Sequence, residues 1–348
     1  MAETTPGKIV TFGEAMLRLV PPHFRRIEQT NSLSMDPGGS EFNVAVDISR
    51  LGGRASWVSV LPDNPMGRFI RNKAREHGAD TGSVVISGRG RAGIYFVEYG
   101  SSPRASKVYY DRENSSVSLE ADRIDWKAVL DGAVWFHTSG ITPALSDVCA
   151  NSARTAIETA KANGATVSYD LNYRKKLWTP EEAQRTTKEY ADKIDCCIGN
   201  EEDFQKVLGV ELEEKPGKKK EGFEDIDPDY YKRLAAKVQK SFGFTYVAIS
   251  LRESISVLRN GWRGLLYTGG KAYVSRKYEL ELVDRVGGGD SFSAGLIYSL
   301  SSGKDPQSAV EFAAAFSALK HTIWGDINIV DLPEVEALLA SGSSRIER

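Results

Sequence analysis

The sequence predicts an α/β fold, with a doubly wound, mostly parallel sheet, helices on both of its faces and a small β-sheet lid. Three observations carry this expectation. Short apolar runs alternate with segments of helical period over most of the 348 residues, as expected for parallel strands covered by crossover helices. Residues 92–112 break that alternation with two extended segments and no helix after either. Two glycine turns, at 38–39 and 287–289, each precede a segment of helical period.

Lys8–Gly13 reads as a first buried strand. A polar segment, 21–37, precedes a helix from Ser40 to Leu51, where Val44, Ile48 and Leu51 recur at i, i+4 and i+7 before Gly52-Gly53 stops it. Ala55–Val60 is the next strand, and Met66–His77 the next helix, closed by Gly78. Strand signals return at 133–137, 166–170, 196–198 and 245–249; helical stretches at 146–163, 180–193, 229–241 and 307–320 separate or follow them. Within 92–112, Gly93–Tyr99 and Lys107–Tyr110 form a hairpin signal around Gly100-Ser101-Ser102-Pro103-Arg104. No crossover helix covers such a hairpin, so it is expected as a flap over the ends of the main sheet, with the stretch 18–35 as its partner. Residues 213–228 begin with a run of mixed charge without apolar side chains, which reads as a solvated surface insertion.

Composition removes several classes of function. The chain is 41% hydrophobic and 26% charged, and 45 basic against 47 acidic side chains give a net charge of −2. That balance argues against a nucleic-acid partner. No apolar run approaches the roughly 20 residues of a membrane span. Three cysteines suit a reducing compartment, and the first residues lack the basic and apolar blocks of a secretion signal. The expected location is the cytoplasm. A P-loop and a dinucleotide-binding glycine motif are both absent, and the four histidines show no metal-ligand spacing. Adjacent Cys196 and Cys197 should point to opposite faces of a strand.

The strongest chemical signal is Val286-Gly287-Gly288-Gly289-Asp290-Ser291-Phe292. Glycines at a helix N-terminus leave backbone N–H groups uncovered, and these favour an anion such as a phosphate. Asp290, in the first turn beside them, could accept a proton from a hydroxyl attacking phosphorus. On local grounds the same run also reads as a turn with Asp290 as an ordinary N-cap. Asp36-Pro37-Gly38-Gly39-Ser40-Glu41-Phe42-Asn43 repeats the device near the start, with Asn43 one turn inside its helix. Small residues there permit close approach to a polyhydroxylated ligand, and a plain loop fits equally.

Together these motifs, in this chain order, resemble the PfkB (ribokinase-like) carbohydrate kinase family, over roughly Lys8 to Leu339. Within it the chain looks most like the 2-keto-3-deoxygluconate kinases, through Gly13–Leu19, Val108–Arg112 and Tyr169–Trp178. The resemblance implies one ribokinase-like domain over 8–339 that carries the lid. It implies ATP and Mg²⁺ as cofactors and a small sugar acid as acceptor, phosphorylated at its terminal primary hydroxyl. It implies Asp290 as base, Gly287, Gly288 and Gly289 as anion hole, and Arg174 between substrate and nucleotide phosphates. Gly38, Gly39 and Asn43 match the sugar-binding turn, while Tyr95, Tyr110 and Arg112 hold substrate from the flap. Asn200 and Asp203 match the motif that orders the magnesium hydration shell, and Asn328 stands where the nucleotide base region closes.

Two departures from the family pattern stand out: Arg285 replaces a threonine and Gly288 an alanine in the last motif, and Asp203 is shorter than the usual glutamate. A keto-acid carboxylate rewards guanidinium partners, which Arg112 and Arg174 supply in the matching motifs. Other acceptors within the family (fructose, ribose, the galactonate epimer) remain alternatives, as does a non-catalytic sugar-binding protein. An exposed flap edge is adhesive unless paired, so a homo-oligomer through the lid is expected.

Overall fold

Burial of both faces of β1 (Lys8–Phe12) organises the molecule. Ile9 packs into one apolar cluster while Val10 and Phe12 pack into another, so the strand is covered on both faces. The computed structural model describes residues 6–101, 103–212, 227–256 and 258–341. After β1 come β2 (Met16–Val20), β3 (Ser34–Gly38), α1 (Ser40–Arg50), β4 (Ala55–Val58) and β5 (Val60–Pro62). Next are α2 (Pro65–Glu76), β6 (Val85–Ser87), β7 (Gly93–Glu98), β8 (Lys107–Asp111), α3 (Ser116–Glu120) and α4 (Trp126–Val129). The middle of the chain holds β9 (Ala133–Ser139), α5 (Asp147–Ala162), β10 (Thr166–Asp170), α6 (Pro180–Lys188), β11 (Cys196–Gly199) and α7 (Glu201–Leu208). The last part has α8 (Pro228–Phe242), β12 (Tyr246–Ser254), β13 (Arg259–Thr268), β14 (Lys271–Val274) and β15 (Tyr278–Glu281). Three helices close it: α9 (Gly288–Ser301), α10 (Pro306–Lys320) and α11 (Leu332–Ser341).

The main sheet runs β14-β13-β12-β11-β10-β9-β1-β4, with β15 also on β13. It is parallel from β4 to β12 and antiparallel beyond. Cys196 and Cys197 enter opposite apolar clusters, as strand alternation requires. The antiparallel edge is absent from the sequence reading. Gly261 and Gly264 interrupt its apolar pattern, and a Cβ at Gly264 would stand 2.5 Å from the Phe292 ring of α9. That glycine is there for helix-on-sheet packing, which a strand scan reads as a break.

The lid is a four-stranded sheet in the order β3-β2-β7-β8. The β7–β8 hairpin forms as expected. Its partner comprises β2 and β3 at the two ends of the stretch 16–38, and the residues between are loop and one short helical turn. β3 reads Ser-Met-Asp-Pro-Gly, a poor strand composition. Pro37 is tolerated because β3 is an edge strand, where a missing N–H costs no pairing. One expectation needs correction, since the five-residue helix α3 does follow the hairpin. Of the expected insertion over 213–228, residues 213–226 lie outside the described residues. Its last two, Asp227 and Pro228, cap and open α8.

Candidate active site

A cleft of about 720 Å³ opens between the lid and the carboxyl ends of the parallel strands, the usual ligand position in such sheets. Asp170 ends β10, Gly199 ends β11, and both line it together with Gly38, Gly39, Asn43, Gly287, Gly289 and Asp290. The two glycine turns, some 250 residues apart in the chain, therefore face one space.

Asp290 lies in the first turn of α9. Its Oδ1 accepts from Ser40 Oγ at 2.8 Å and its Oδ2 from Asn43 Nδ2 at 2.7 Å. Ser40 and Asn43 are i and i+3 on α1 and so share a face. Asn172 Nδ2 donates in turn to Ser40 Oγ at 3.2 Å. Burial raises the Asp290 pKa above the usual carboxylate value, and the Asn43 and Ser40 bonds oppose that rise. The side chain is thus oriented, ionisable and turned toward the cleft.

Gly287 is the N-cap of α9, with φ +82° and no side chain to cap the helix. A Cβ there would lie 1.8 Å from the Asp326 carbonyl oxygen. Only glycine satisfies both the left-handed backbone and that approach. Gly287 and Gly289 line the cleft, whereas Gly288 is buried and turned to His321, whose ring would stand 2.4 Å from a Cβ at this position. The expected three-glycine cradle therefore presents two of its glycines. At the first turn, Gly38 lies against the Tyr95 hydroxyl and Asp326, leaving no room for a Cβ.

The lid contributes Tyr95, Tyr110 and Arg112 to the cleft. Tyr95 donates its hydroxyl to Asp326 Oδ2 at 2.5 Å and stacks on Tyr110 with ring centroids 5.9 Å apart. Arg112 is already paired: its Nε donates to Glu14 Oε2 at 2.8 Å and its Nη2 bonds the same oxygen. Glu14 is buried, so the pair forms an almost neutral unit in the wall. Arg174, exposed at the rim, makes no ion pair with any described residue, and its charge acts on Asp170, Asp203 and Asp290.

Asn200 and Asp203 form the capping box that opens α7. Asp203 Oδ2 accepts from Asn200 N and Oδ1 from Tyr173 N, both at 3.0 Å. Both oxygens therefore carry backbone bonds while the residue lines the cleft. Asn328 does not reach it: the residue is fully buried, donates Nδ2 to the Phe316 carbonyl and accepts from Val330 N.

Sequence reasoning missed Glu14, Ser40, Asp170, Asn172 and Asp326. The spacing of Ser40 and Asn43 offered a signal for one of them; the others are polar residues at strand ends or turns, and only the folded chain brings them together. On the opposite wall, Arg252 and Arg285 border the glycine turn, and the buried Asn260 Oδ1 and Trp262 Nε1 have no hydrogen-bond partner among the described residues. Among the described residues no group of three or more His, Cys, Asp or Glu is placed to hold a metal, and no helix is long and apolar enough to cross a membrane.

The chain is 36% identical over 343 residues to the 2-dehydro-3-deoxygalactonokinase of Haloferax volcanii, covering 98% of this chain and 99% of that one. The crystal structure of the Thermotoga maritima 2-dehydro-3-deoxygluconokinase superposes with a TM-score of 0.91 at 43% identity, covering 96% of this chain and 98% of that one. A PfkB family carbohydrate kinase from Listeria grayi superposes with a TM-score of 0.87 at 32% identity, covering 96% and 100% of the two chains. The family described as pfkB family carbohydrate kinase matches residues 7–331. With two glycine turns and an oriented carboxylate facing one cleft, and this match over nearly its whole length, the chain belongs to the pfkB family of carbohydrate kinases.

Proposed function

We propose that the protein transfers the γ-phosphoryl group of ATP to the terminal primary hydroxyl of 2-keto-3-deoxy-D-gluconate, giving the 6-phosphate. The observation that carries this is the Asp290 carboxylate, held by Ser40 and Asn43 beside the uncapped N-terminus of α9. Asp290 takes the hydroxyl proton as the new O–P bond forms and the bond to ADP breaks. The N–H groups at Gly287 and Gly289, with the α9 dipole, receive charge on the transferred phosphoryl oxygens. Arg174 adds a cation at the rim. The lid covers the sugar and keeps water from acting as acceptor.

Mg²⁺, when bound with the nucleotide, neutralises phosphate charge. Hard-oxygen groups on Asp170, Glu202 and Asp203 line the cleft, which fits an ion that keeps several waters and takes few protein ligands. With both Asp203 oxygens engaged, that residue and Asn200 act through water.

The keto-acid acceptor is supported by the names of the Thermotoga and Haloferax relatives and by the Arg174 guanidinium at the rim of the cleft. The galactonate epimer is the second reading, favoured by the Haloferax relative. A coupled ADP-release assay over both epimers, fructose and ribose, with ATP and Mg²⁺, tests the reading. The gluconate keto-acid should have the highest kcat/KM, and Asp290→Asn should lower kcat by at least 10³-fold. Turnover of neutral sugars alone, or near-wild-type turnover by Asp290→Asn, would reject it.

A lid-to-lid dimer belongs to the same reading. It is supported by the edge strand β8, whose Tyr109 and Tyr110 are exposed. Light scattering that gives one chain per particle would oppose it.

A further inference from the structure

Arg18 is the centre of a buried ionic cluster that no step of the proposed reaction uses. It sits mid-strand in β2, and its side chain is 1% exposed. Its Nη1 bonds Asp326 Oδ1, and its Nη2 bonds both Asp284 Oδ2 and the Tyr99 hydroxyl. Tyr99 also donates to Asp284, and Tyr95 to Asp326. Buried Lys320 adds a second cation whose charge acts on the same two carboxylates. Burial alone would depress the Arg18 pKa, but Asp326 and Asp284 hold it above its ordinary value.

The placement of these groups is informative. Arg18 and Tyr95 belong to lid strands, and Tyr99 directly follows one. Both carboxylates belong to the main body and flank Gly287. Asp284 Oδ1 accepts from Val286 N at 3.0 Å, shaping the turn that delivers Gly287, and its Oδ2 accepts from Gly325 N at 3.1 Å. Asp326 presses its carbonyl on Gly287 and its carboxylate on Gly38. A guanidinium is a rigid planar fork, so it fixes the distance between its two carboxylates as well as neutralising them.

We propose that Arg18 is a positioning residue for phosphoryl transfer. It ties the lid to the turn carrying Gly287, so that seating of the lid on the acceptor sets the geometry of the phosphate cradle. This rests on the kinase reading above. If Arg18 serves only to hold the fold together, its loss lowers stability, the apparent kcat falls only with the folded fraction, and KM is unchanged.

The test compares wild type, Arg18→Lys, Arg18→Met and Tyr99→Phe, using ATP and the sugar that wild type turns over fastest. Lysine keeps the charge and loses the fork. Arg18→Lys should remain folded, lose at least tenfold in kcat per folded molecule, and keep KM for the sugar within threefold. Added guanidinium at non-denaturing concentration should restore part of the kcat of Arg18→Met. Should neither Arg18 variant fold, Tyr99→Phe decides, with a several-fold loss of kcat at a near-normal Tm expected. Unchanged kcat per folded molecule in Arg18→Lys, or in Tyr99→Phe when it alone is available, overturns the positioning role and leaves the kinase reading intact. A wild type inactive on every sugar overturns the kinase reading and this role with it.

Discussion

Asn43 Nδ2 lies 2.7 Å from Asp290 Oδ2, a bond between residues 247 positions apart. It joins helix α1 to the first turn of α9, and it opposes the pKa rise that burial imposes on Asp290. A general base works deprotonated, so with Asp290 in the proposed role turnover falls as pH drops through its pKa. Removing a donor to the carboxylate raises that pKa further. Asn43→Ala should therefore shift the acid limb of the kcat profile to higher pH, with a deficit relative to wild type that grows as pH falls. Profiles that run parallel for the two proteins would show that Asn43 does not tune the base.

The two cleft-lining glycines of α9 should respond differently to alanine. At Gly287 the new Cβ meets the Asp326 carbonyl at 1.8 Å in a left-handed backbone, whereas at Gly289 it would meet nothing within 4 Å beyond its own stretch of helix among the described residues. Gly287→Ala should lower Tm by several degrees together with activity. Gly289→Ala should keep its Tm and still lose at least tenfold in kcat/KM for ATP, because the methyl group stands where the phosphoryl group is proposed to sit. Thermal melts alongside ATP kinetics check both, and an active Gly289→Ala would remove that glycine from the cradle.

The Glu14–Arg112 pair should show itself in a mutant cycle. Arg112→Met leaves a buried carboxylate without its partner and should cost about 3 kcal/mol in denaturant unfolding. Combining it with Glu14→Gln should recover most of that loss. Additive losses would mean that the two side chains stabilise the fold independently.

Two buried histidines should steepen the acid side of the stability curve. Burial pushes His137 down to about 3 and His321 down to about 4. Between those values and the unfolded value near 6.5, the unfolded chain binds more protons than the folded one. Stability contributed by the neutral rings is present above about pH 6.5 and is lost as pH falls, by up to about 1.4 kcal/mol per pH unit for each ring. Buried Asp47 and Asp170, whose pKa values burial raises, act in the opposite sense, so the comparison must be with a variant. His137→Gln with His321→Gln should lose less stability than wild type between pH 7 and pH 5, read as unfolding midpoints in denaturant. Equal losses would assign the acid sensitivity elsewhere.

What the chain determined alone was periodic and local. Strand and helix periods, the two glycine turns and the hairpin at 92–112 depend on neighbours a few residues apart, and the fold class follows from them; the family came from the resemblance of the motifs at 38–45 and 287–292. Asp290 and Asn43 stood out because each lies in a glycine motif. The tertiary structure decided the partners. Arg112, read as a free guanidinium for a sugar carboxylate, is paired with Glu14; Gly288 turns to His321; Asn328 is enclosed in the core. Nothing local distinguishes Arg18 from a surface arginine, yet it is buried between carboxylates 266 and 308 residues away. Backbone periodicity is a short-range property, whereas the pairing of a buried charge depends on which distant group the fold brings within reach of its side chain.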